Sequence, residues 1–249
     1  VIYNIDVLDS ETVRSLLSFD FKENIKLTIW NNGPETVVEP DLKDFNSISY
    51  FESTNNISLA KIYNEFLSNC CGDGGALILD HDTILNENDV LRLVNYKGDY
   101  QCVIPEVYCG KNKIYPIVRP GICMSIASGI FLSKTYYTKN SRIFDERFHI
   151  YGVDTSFYIR CKNKKVSIDI QGRIDHSLSR LEVSSEELKY GDFRITERSY
   201  DAVLMFRLYP SIRNLVRMLR CIYKNHRYLS NKRRLLLSFI KGKHLGISK

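Results

Sequence analysis

The 249-residue sequence predicts an α/β fold: a mostly parallel central sheet flanked by helices, followed by a basic helical tail. Three observations carry this. Strand-like segments alternate with segments whose apolar residues recur at helical spacing, the βαβαβ order that builds parallel sheets. The apolar run Ala76-Leu77-Ile78-Leu79 leads into two carboxylates one residue apart, Asp80 and Asp82. Such a run reads as a buried strand, and the carboxylates stand where it leaves the sheet, the place where open α/β sheets bind ligands. Finally, residues 194–249 hold 14 Lys and Arg against 2 Asp and Glu, so a strongly basic tail follows a mildly acidic body.

The elements follow in order. Val1–Tyr3 reads as the end of a strand, which leads us to expect a native start upstream of Val1. Ser10–Ser18 reads as a helix capped by Ser10, with Val13, Leu16 and Leu17 on one face. Lys26–Trp30 is a β-rich run stopped by the turn Asn31-Asn32-Gly33-Pro34. Ser47–Phe51 is a short strand. Leu59–Cys70 carries apolar residues at helical spacing, with Asn56 or Ser58 as its cap. Asp73-Gly74-Gly75 turns into the Ala76–Leu79 strand. Asn88–Tyr96 reads as a helix and Gln101–Val107 as a strand. Residues 109–125, rich in Pro, Gly, Lys and Tyr, read as an irregular excursion. Ser128–Leu132 resumes an apolar element, Val153–Arg160 is a helix, and Val166–Ile170 is a strand with His176 a short loop beyond it.

Composition sets outer limits. Apolar content of 44% and charged content of 26% are ordinary for a globular protein. No run of about 18 apolar residues occurs, so no membrane-spanning helix is expected, and no signal peptide is visible. The seven Cys form no Cys-x-x-Cys and are odd in number. They read as reduced thiols of a cytosolic protein.

The carboxylate pair suggests chemistry. Two half-buried carboxylates repel unless a cation compensates, and hard oxygen ligands suit Mn²⁺ or Mg²⁺ holding a diphosphate. An isolated Asp-x-Asp is also found in ordinary solvated turns, so the rest of the chain decides.

Seven ordered segments decide it: Val1-Ile2-Tyr3-Asn4; Ile29-Trp30-Asn31-Asn32-Gly33; Asn55-Asn56-Ile57-Ser58-Leu59-Ala60 with Asn64; Leu79-Asp80-His81-Asp82-Thr83; Ala127-Ser128-Gly129; Phe144-Asp145-Glu146-Arg147-Phe148 into Tyr151-Gly152-Val153-Asp154-Thr155; and Asp175-His176-Ser177-Leu178. Over roughly residues 1–180 this order resembles the family 2 glycosyltransferases of the GT-A fold, particularly the branch containing bacterial rhamnosyltransferases. With the change in charge at residue 194, this gives a catalytic domain over 1–193 and a basic amphipathic helical region over 194–249. The resemblance implies inverting transfer of a sugar from a nucleotide diphosphate donor, with dTDP-rhamnose first and UDP-hexoses next, to a hydroxyl of a cell-surface polysaccharide or lipid-linked saccharide.

Residue by residue, the resemblance implies that Tyr3, Asn4, Asn31, Asn56, Asn64 and Asp80 contact the donor nucleotide. It implies that Asp80, Asp82 and His176 hold Mn²⁺ or Mg²⁺, with Asp82 the firmer ligand, and that Asp154 is the general base. A positioned carboxylate suits that role because an acceptor hydroxyl is a poor nucleophile until its proton is taken. The family often has Asp at position 31 and an acid before the base, where this chain has Asn31 and Val153. Asp145 and Glu146 shape the loop, and Arg142, Arg147, Arg173 and Arg180 are candidates to add positive charge near the leaving group.

After Pro210, Ile212, Leu215, Val216, Leu219, Ile222 and Tyr223 recur at helical spacing, with Arg213, Arg217, Arg220 and Lys224 between them; Lys232-Arg233-Arg234 through Lys241 repeats the pattern. This predicts a helix lying on an anionic membrane surface, hence an enzyme peripheral on the inner face of the cell membrane. Packing of the apolar stripe on the body is the plainer reading. Nucleic acid is not expected as a partner, because the body lacks interleaved basic and aromatic motifs.

Rival classes fit less well. A haloacid-dehalogenase-type phosphatase of phosphorylated sugars would want Thr or Val where Ile84 stands, and its motif on the first strand. A nucleotidylyltransferase needs a Gly-rich loop, and residues 4–12 contain no Gly. A non-catalytic carbohydrate-binding protein would need a degenerate metal site.

Overall fold

A computed structural model describes residues 1–70, 74–96, 98–176, 187–226 and 232–245, without the side chains of 70 and 187–193. Cys71, Asp73, Ser177, Leu178 and Arg180 therefore lie outside the described residues.

Helix α1 (Glu11–Leu17) begins where the Ser10 hydroxyl accepts from the Val13 amide, and it buries Thr12, Val13 and Leu16. Strands β1 (Lys26–Asn31) and β2 (Ser47–Glu52) pair in parallel. Helix α2 (Leu59–Glu65), capped by Ser58, passes into a π-turn at Phe66–Cys70. Strands β3 (Ala76–Leu77) and β4 (Thr83–Leu85) flank the carboxylate turn, and α3 (Glu87–Val94) follows. Next come β5 (Cys102–Cys109), β6 (Asn112–Tyr115), β7 (Ile117–Arg119), β8 (Ile122–Met124) and β9 (Phe131–Leu132). Helices α4 (Lys134–Lys139) and α5 (Val153–Asn163) precede β10 (Ile168–His176). Helices α6 (Glu187–Leu208), α7 (Ile212–Asn225) and α8 (Lys232–Lys241) close the chain.

The main sheet runs β3-β9-β5-β10-β4, with β6 added to β5. The expectation of a mostly parallel sheet is corrected. Among the strands of the described residues only β1–β2 and β5–β10 pair in parallel, while β9 runs antiparallel to both β3 and β5, and β4 antiparallel to β10. The cause is local: the Ser128–Leu132 segment turns back between β3 and β5 instead of crossing over through a helix.

Residues 109–125 are not irregular either. Cys109 faces Asn112 across a two-residue turn with Gly110 at φ 59°, and Arg119 faces Ile122 across Pro120-Gly121, with Gly121 at φ 68°. Glycine is favoured at positive φ, so the turn residues that suggested disorder instead close two hairpins.

Two core clusters occupy the faces of the sheet. One gathers Tyr63, Ile104, Leu132, Phe144, Phe148 and Phe157 under α2, α4 and α5; the other gathers Val13, Leu16, Ile29, Val90 and Ile174 under α1 and α3. Strand β10 serves both through a bulge. Ile170 pairs with Ile104 but Arg173 with Glu106, one residue out of step, with Gly172 at φ 66°. One extra residue reverses which face later side chains occupy. Ile168 and Ile170 accordingly pack in the first cluster and Ile174 in the second.

Helix α6 runs across the change in composition at residues 193–194, and its Leu204 and Met205 belong to the first core cluster. A third small cluster packs Met218 and Ile222 of α7 and Leu235 of α8 against Tyr200 and Val203 of α6.

An apolar cavity of about 750 Å³ lies between β1 and β3. β1 and β3, which do not pair, line it together with residues of α1, α2 and α3, and Val1–Ile2 border it too, the Ile2 amide donating to Trp30 O at 2.9 Å. Of the acidic pair Asp80 lines it and Asp82 does not.

Candidate active site

The site forms where β3 ends. Ile78 still exchanges hydrogen bonds with Ile130 and Gly129, and after it the chain leaves the sheet as Leu79-Asp80-His81-Asp82. Helix α1 holds this turn from behind. The Ser10 hydroxyl donates to His81 O at 2.9 Å, and the Thr12 hydroxyl donates to Asp80 O and to Thr83 O. The Asp80 amide donates to the Ser128 hydroxyl at 3.0 Å. Backbone and hydroxyl contacts thus fix the turn, and both carboxylates are half-buried.

Strand β10 brings in the third group. Its antiparallel register sets His176 opposite Thr83, and Asp175 opposite Ile84. His176 Nδ1 lies 3.0 Å from Thr83 Oγ1 and 3.5 Å from Asp82 Oδ1. Thr83 Oγ1 in turn is 2.7 Å from Ser128 Oγ. His176 therefore ends the strand itself, rather than following it after a loop: β10 runs six residues past the predicted Ile170, continued by the Gly172 bulge.

One ligand atom from each of Asp80, Asp82 and His176 lies within 4.8 Å of the others, with the two Asp half-buried and the His buried. Two carboxylate oxygens and an imidazole nitrogen form a donor set for a divalent first-row metal, and they fit Mn²⁺ better than Mg²⁺, which favours oxygen ligands alone.

Asp154 lies in the first turn of α5, where a carboxylate is favoured by the helix dipole. Tyr63 feels the charge of Asp154 as well as that of Asp80. The buried Tyr63 hydroxyl donates to Asp80 Oδ1 at 3.2 Å, and its pKa is raised well above the usual value by burial first, then by the charges of Asp80 and Asp154. The loop before α5 is held from the tail: Asp201 Oδ2 accepts from the Tyr151 amide at 2.8 Å and the Gly152 amide at 3.0 Å. Burial pushes Asp201 up to about 6. Beside it, Glu197 Oε2 lies 3.0 Å from His149 Nδ1 and 3.2 Å from His244 Nε2, which joins this loop to both ends of the tail.

The remaining predicted donor contacts occupy different settings. Tyr3 and Asn4 are exposed, and the Asn4 amide donates to Gly33 O at 2.8 Å. Asn31 is fully buried and closes its own turn: its Oδ1 accepts from the Gly33 amide at 3.0 Å and its Nδ2 donates to Glu35 O at 2.8 Å. Asn56, at φ 45°, accepts through Oδ1 from Asn32 Nδ2 at 3.1 Å. Asn64 fastens the loop after α4 to α2, exchanging hydrogen bonds of 2.9 Å with the backbone of Phe144 and donating to Glu146.

Two of the candidate arginines are neutralised locally. Arg147 makes two bonds to Asp145, at 2.8 and 2.6 Å, while Arg173 bonds Asp175 at 2.8 Å and stacks over Tyr108. Arg142 contributes its carbonyl to Arg160. Asp145 also accepts from Tyr209 at 2.7 Å, so it shapes its loop, as does Glu146.

Sequence reading missed Thr12, Tyr63, Thr83, Ser128, Gly172 and Asp201. Thr83 and Ser128 stood inside quoted motifs, yet their function depends on cross-strand register, which has no local signal.

No family model matches the chain, and no curated protein matches it. Among solved structures it is similar to S. aureus TarS, with a TM-score of 0.53 and 12% identity, covering 97% of this chain. The chain spans about half of that TarS chain, 52%. A TarS 1-349 structure gives a TM-score of 0.53 and the same fragment in complex with UDP-GlcNAc gives 0.52, both at 12% identity, covering 98% of this chain and 91% of theirs. At this identity the likeness shows a shared fold, a mixed sheet with helices packed on it.

Proposed function

We propose that the protein is a metal-dependent inverting glycosyltransferase acting on a nucleoside-diphosphate sugar. The observation that carries this is the convergence of Asp80, Asp82 and His176 at the end of a sheet strand. Asp154 shares with the acidic pair the electrostatic field around Tyr63. The likeness of fold to a protein crystallised with UDP-GlcNAc supports a nucleotide-sugar donor.

Asp80, Asp82 and His176 would hold the cation, which when bound neutralises charge on the departing diphosphate. Asp154 takes the proton of the acceptor hydroxyl as that oxygen attacks the anomeric carbon. The bond from that carbon to the diphosphate breaks, and its electron pair leaves with the nucleoside diphosphate. Attack opposite the leaving group inverts the anomeric centre. The catalytic part, expected over 1–193, also draws on α6, whose Asp201 holds the loop before Asp154; dTDP-rhamnose is the first donor to try, followed by UDP-hexoses. The acceptor is a hydroxyl of a cell-surface or lipid-linked saccharide.

The test is a screen of nucleotide-sugar hydrolysis across donors, with and without Mn²⁺. Release of nucleoside diphosphate that requires Mn²⁺ supports the reading. Phosphate release from sugar phosphates, with every nucleotide sugar left intact, would replace it with a phosphatase.

A further inference from the structure

Helix α7 has three faces, not two. Asn214, Met218 and Ile222 turn inward: Asn214 Nδ2 donates to Tyr209 O at 2.6 Å, and Met218 and Ile222 pack in the cluster on α6. Ile212, Val216, Leu219 and Tyr223 form a second stripe at helical spacing. They are exposed at 84%, 38%, 54% and 82%. Each is followed by a basic residue, so Arg213, Arg217, Arg220 and Lys224 form a third stripe beside it, also exposed. None of these four forms an ion pair among the described residues, and no Asp or Glu follows Asp201 in the sequence. Helix α8 repeats the arrangement, exposing Leu236, Leu237 and Ile240 among Lys232, Arg233 and Lys241.

The single apolar stripe expected from the sequence is therefore divided. Of it, Ile222 packs on α6 beside Met218, while Ile212, Val216, Leu219 and Tyr223 stay exposed. Large side chains held in water beside a row of uncompensated cations suit one kind of surface: a bilayer interface with anionic headgroups, where the apolar stripe enters the acyl boundary and the cations meet the headgroups. A second copy of the chain would set like charges against each other. A nucleic acid would engage the cations and leave the apolar stripe in water. No described helix is long and apolar enough to cross a membrane, so the contact lies in the plane.

We propose that the outer faces of α7 and α8 dock the protein on an anionic lipid surface. This goes beyond the transferase reading, and its test does not depend on catalysis. The full chain is floated with vesicles of phosphatidylcholine alone or with phosphatidylglycerol. We expect flotation only with the anionic vesicles, weakening as salt rises. Replacing Arg213, Arg217, Arg220 and Lys224 with Gln should weaken binding roughly a hundredfold or more. Ile212→Ser with Leu219→Ser and Tyr223→Ser should weaken it at least tenfold, with the circular dichroism spectrum and melting unchanged because these side chains are exposed. Absence of flotation at low salt overturns the proposal, as does vesicle binding that survives loss of the apolar stripe. Two further results would overturn it when vesicles are ignored: a dimer abolished by the Ser variants, or duplex DNA binding that those variants leave intact.

Discussion

Thr83 and His176 face each other across the antiparallel β4–β10 pair, with Oγ1 and Nδ1 3.0 Å apart. A hydroxyl that also contacts Ser128 therefore sets the imidazole beside Asp82. Partners of this kind orient a metal-binding histidine, and their loss typically costs 10–100-fold in metal affinity. Thr83→Val should weaken Mn²⁺ binding by about that factor while Thr83→Ser restores most of it, as read by titration calorimetry. The Val variant also leaves two buried polar groups short of a partner and should lose about 1–3 kcal/mol of stability.

Asp154→Asn keeps the shape of the side chain and removes the proton acceptor. The chemical step should slow by about 10²-fold or more, while calorimetry with the nucleoside diphosphate shows near-native affinity. Normal turnover would move the base elsewhere, with Asp145 and Glu146 the next to examine.

Gly172 sits at φ 66° in the β10 bulge, where an added Cβ would lie 2.5 Å from Asp89 O. Gly172→Ala should destabilise the protein by about 1–3 kcal/mol. Because the bulge decides which face His176 occupies, the variant should also lose Mn²⁺ affinity. Unchanged melting together with unchanged metal binding would remove the bulge from the account.

Asp201 gives a pH dependence with a definite sign. Its folded pKa is raised to about 6 by burial, above the ordinary 3.8. Between those values the folded protein holds a proton that the unfolded chain has lost, so this residue's contribution to stability is full below pH 4. It declines as pH rises toward 6, by about 3 kcal/mol in all. Asp145 and Glu197 act oppositely. Burial pushes both up, but the bonds of Asp145 to Arg147 and Tyr209, and of Glu197 to His149 and His244, outweigh it and hold them low. Their stabilisation is lost as pH falls. The difference between wild type and Asp201→Asn isolates Asp201. In urea melts the variant should gain relative to wild type as pH rises from 4 to 6, and a constant difference would contradict the assignment.

Much of this was legible in the sequence because periodicity and caps are local. Ser10 and Ser58 cap α1 and α2, and the apolar run before Asp80 ends where the carboxylates begin. Strand direction was not legible. Ser128–Leu132 looks the same whether it returns antiparallel or crosses over, and only the partners it finds in β3 and β5 settle the matter. The glycines at 110, 121 and 172 were visible as residues, but their effect on hairpins and register belongs to the assembled sheet. The tail misled in another way: one apolar stripe in sequence is two faces in space, because α6 occupies part of it.

The central claim is that Asp80, Asp82 and His176 bind a nucleoside diphosphate through a divalent cation. Its most direct test is calorimetric titration of UDP and dTDP into wild type and Asp82→Ala, each with Mn²⁺ and with EDTA. Wild type should bind one nucleotide only when Mn²⁺ is present, and Asp82→Ala should bind none. Equal binding in EDTA, or equal binding by Asp82→Ala, would contradict it.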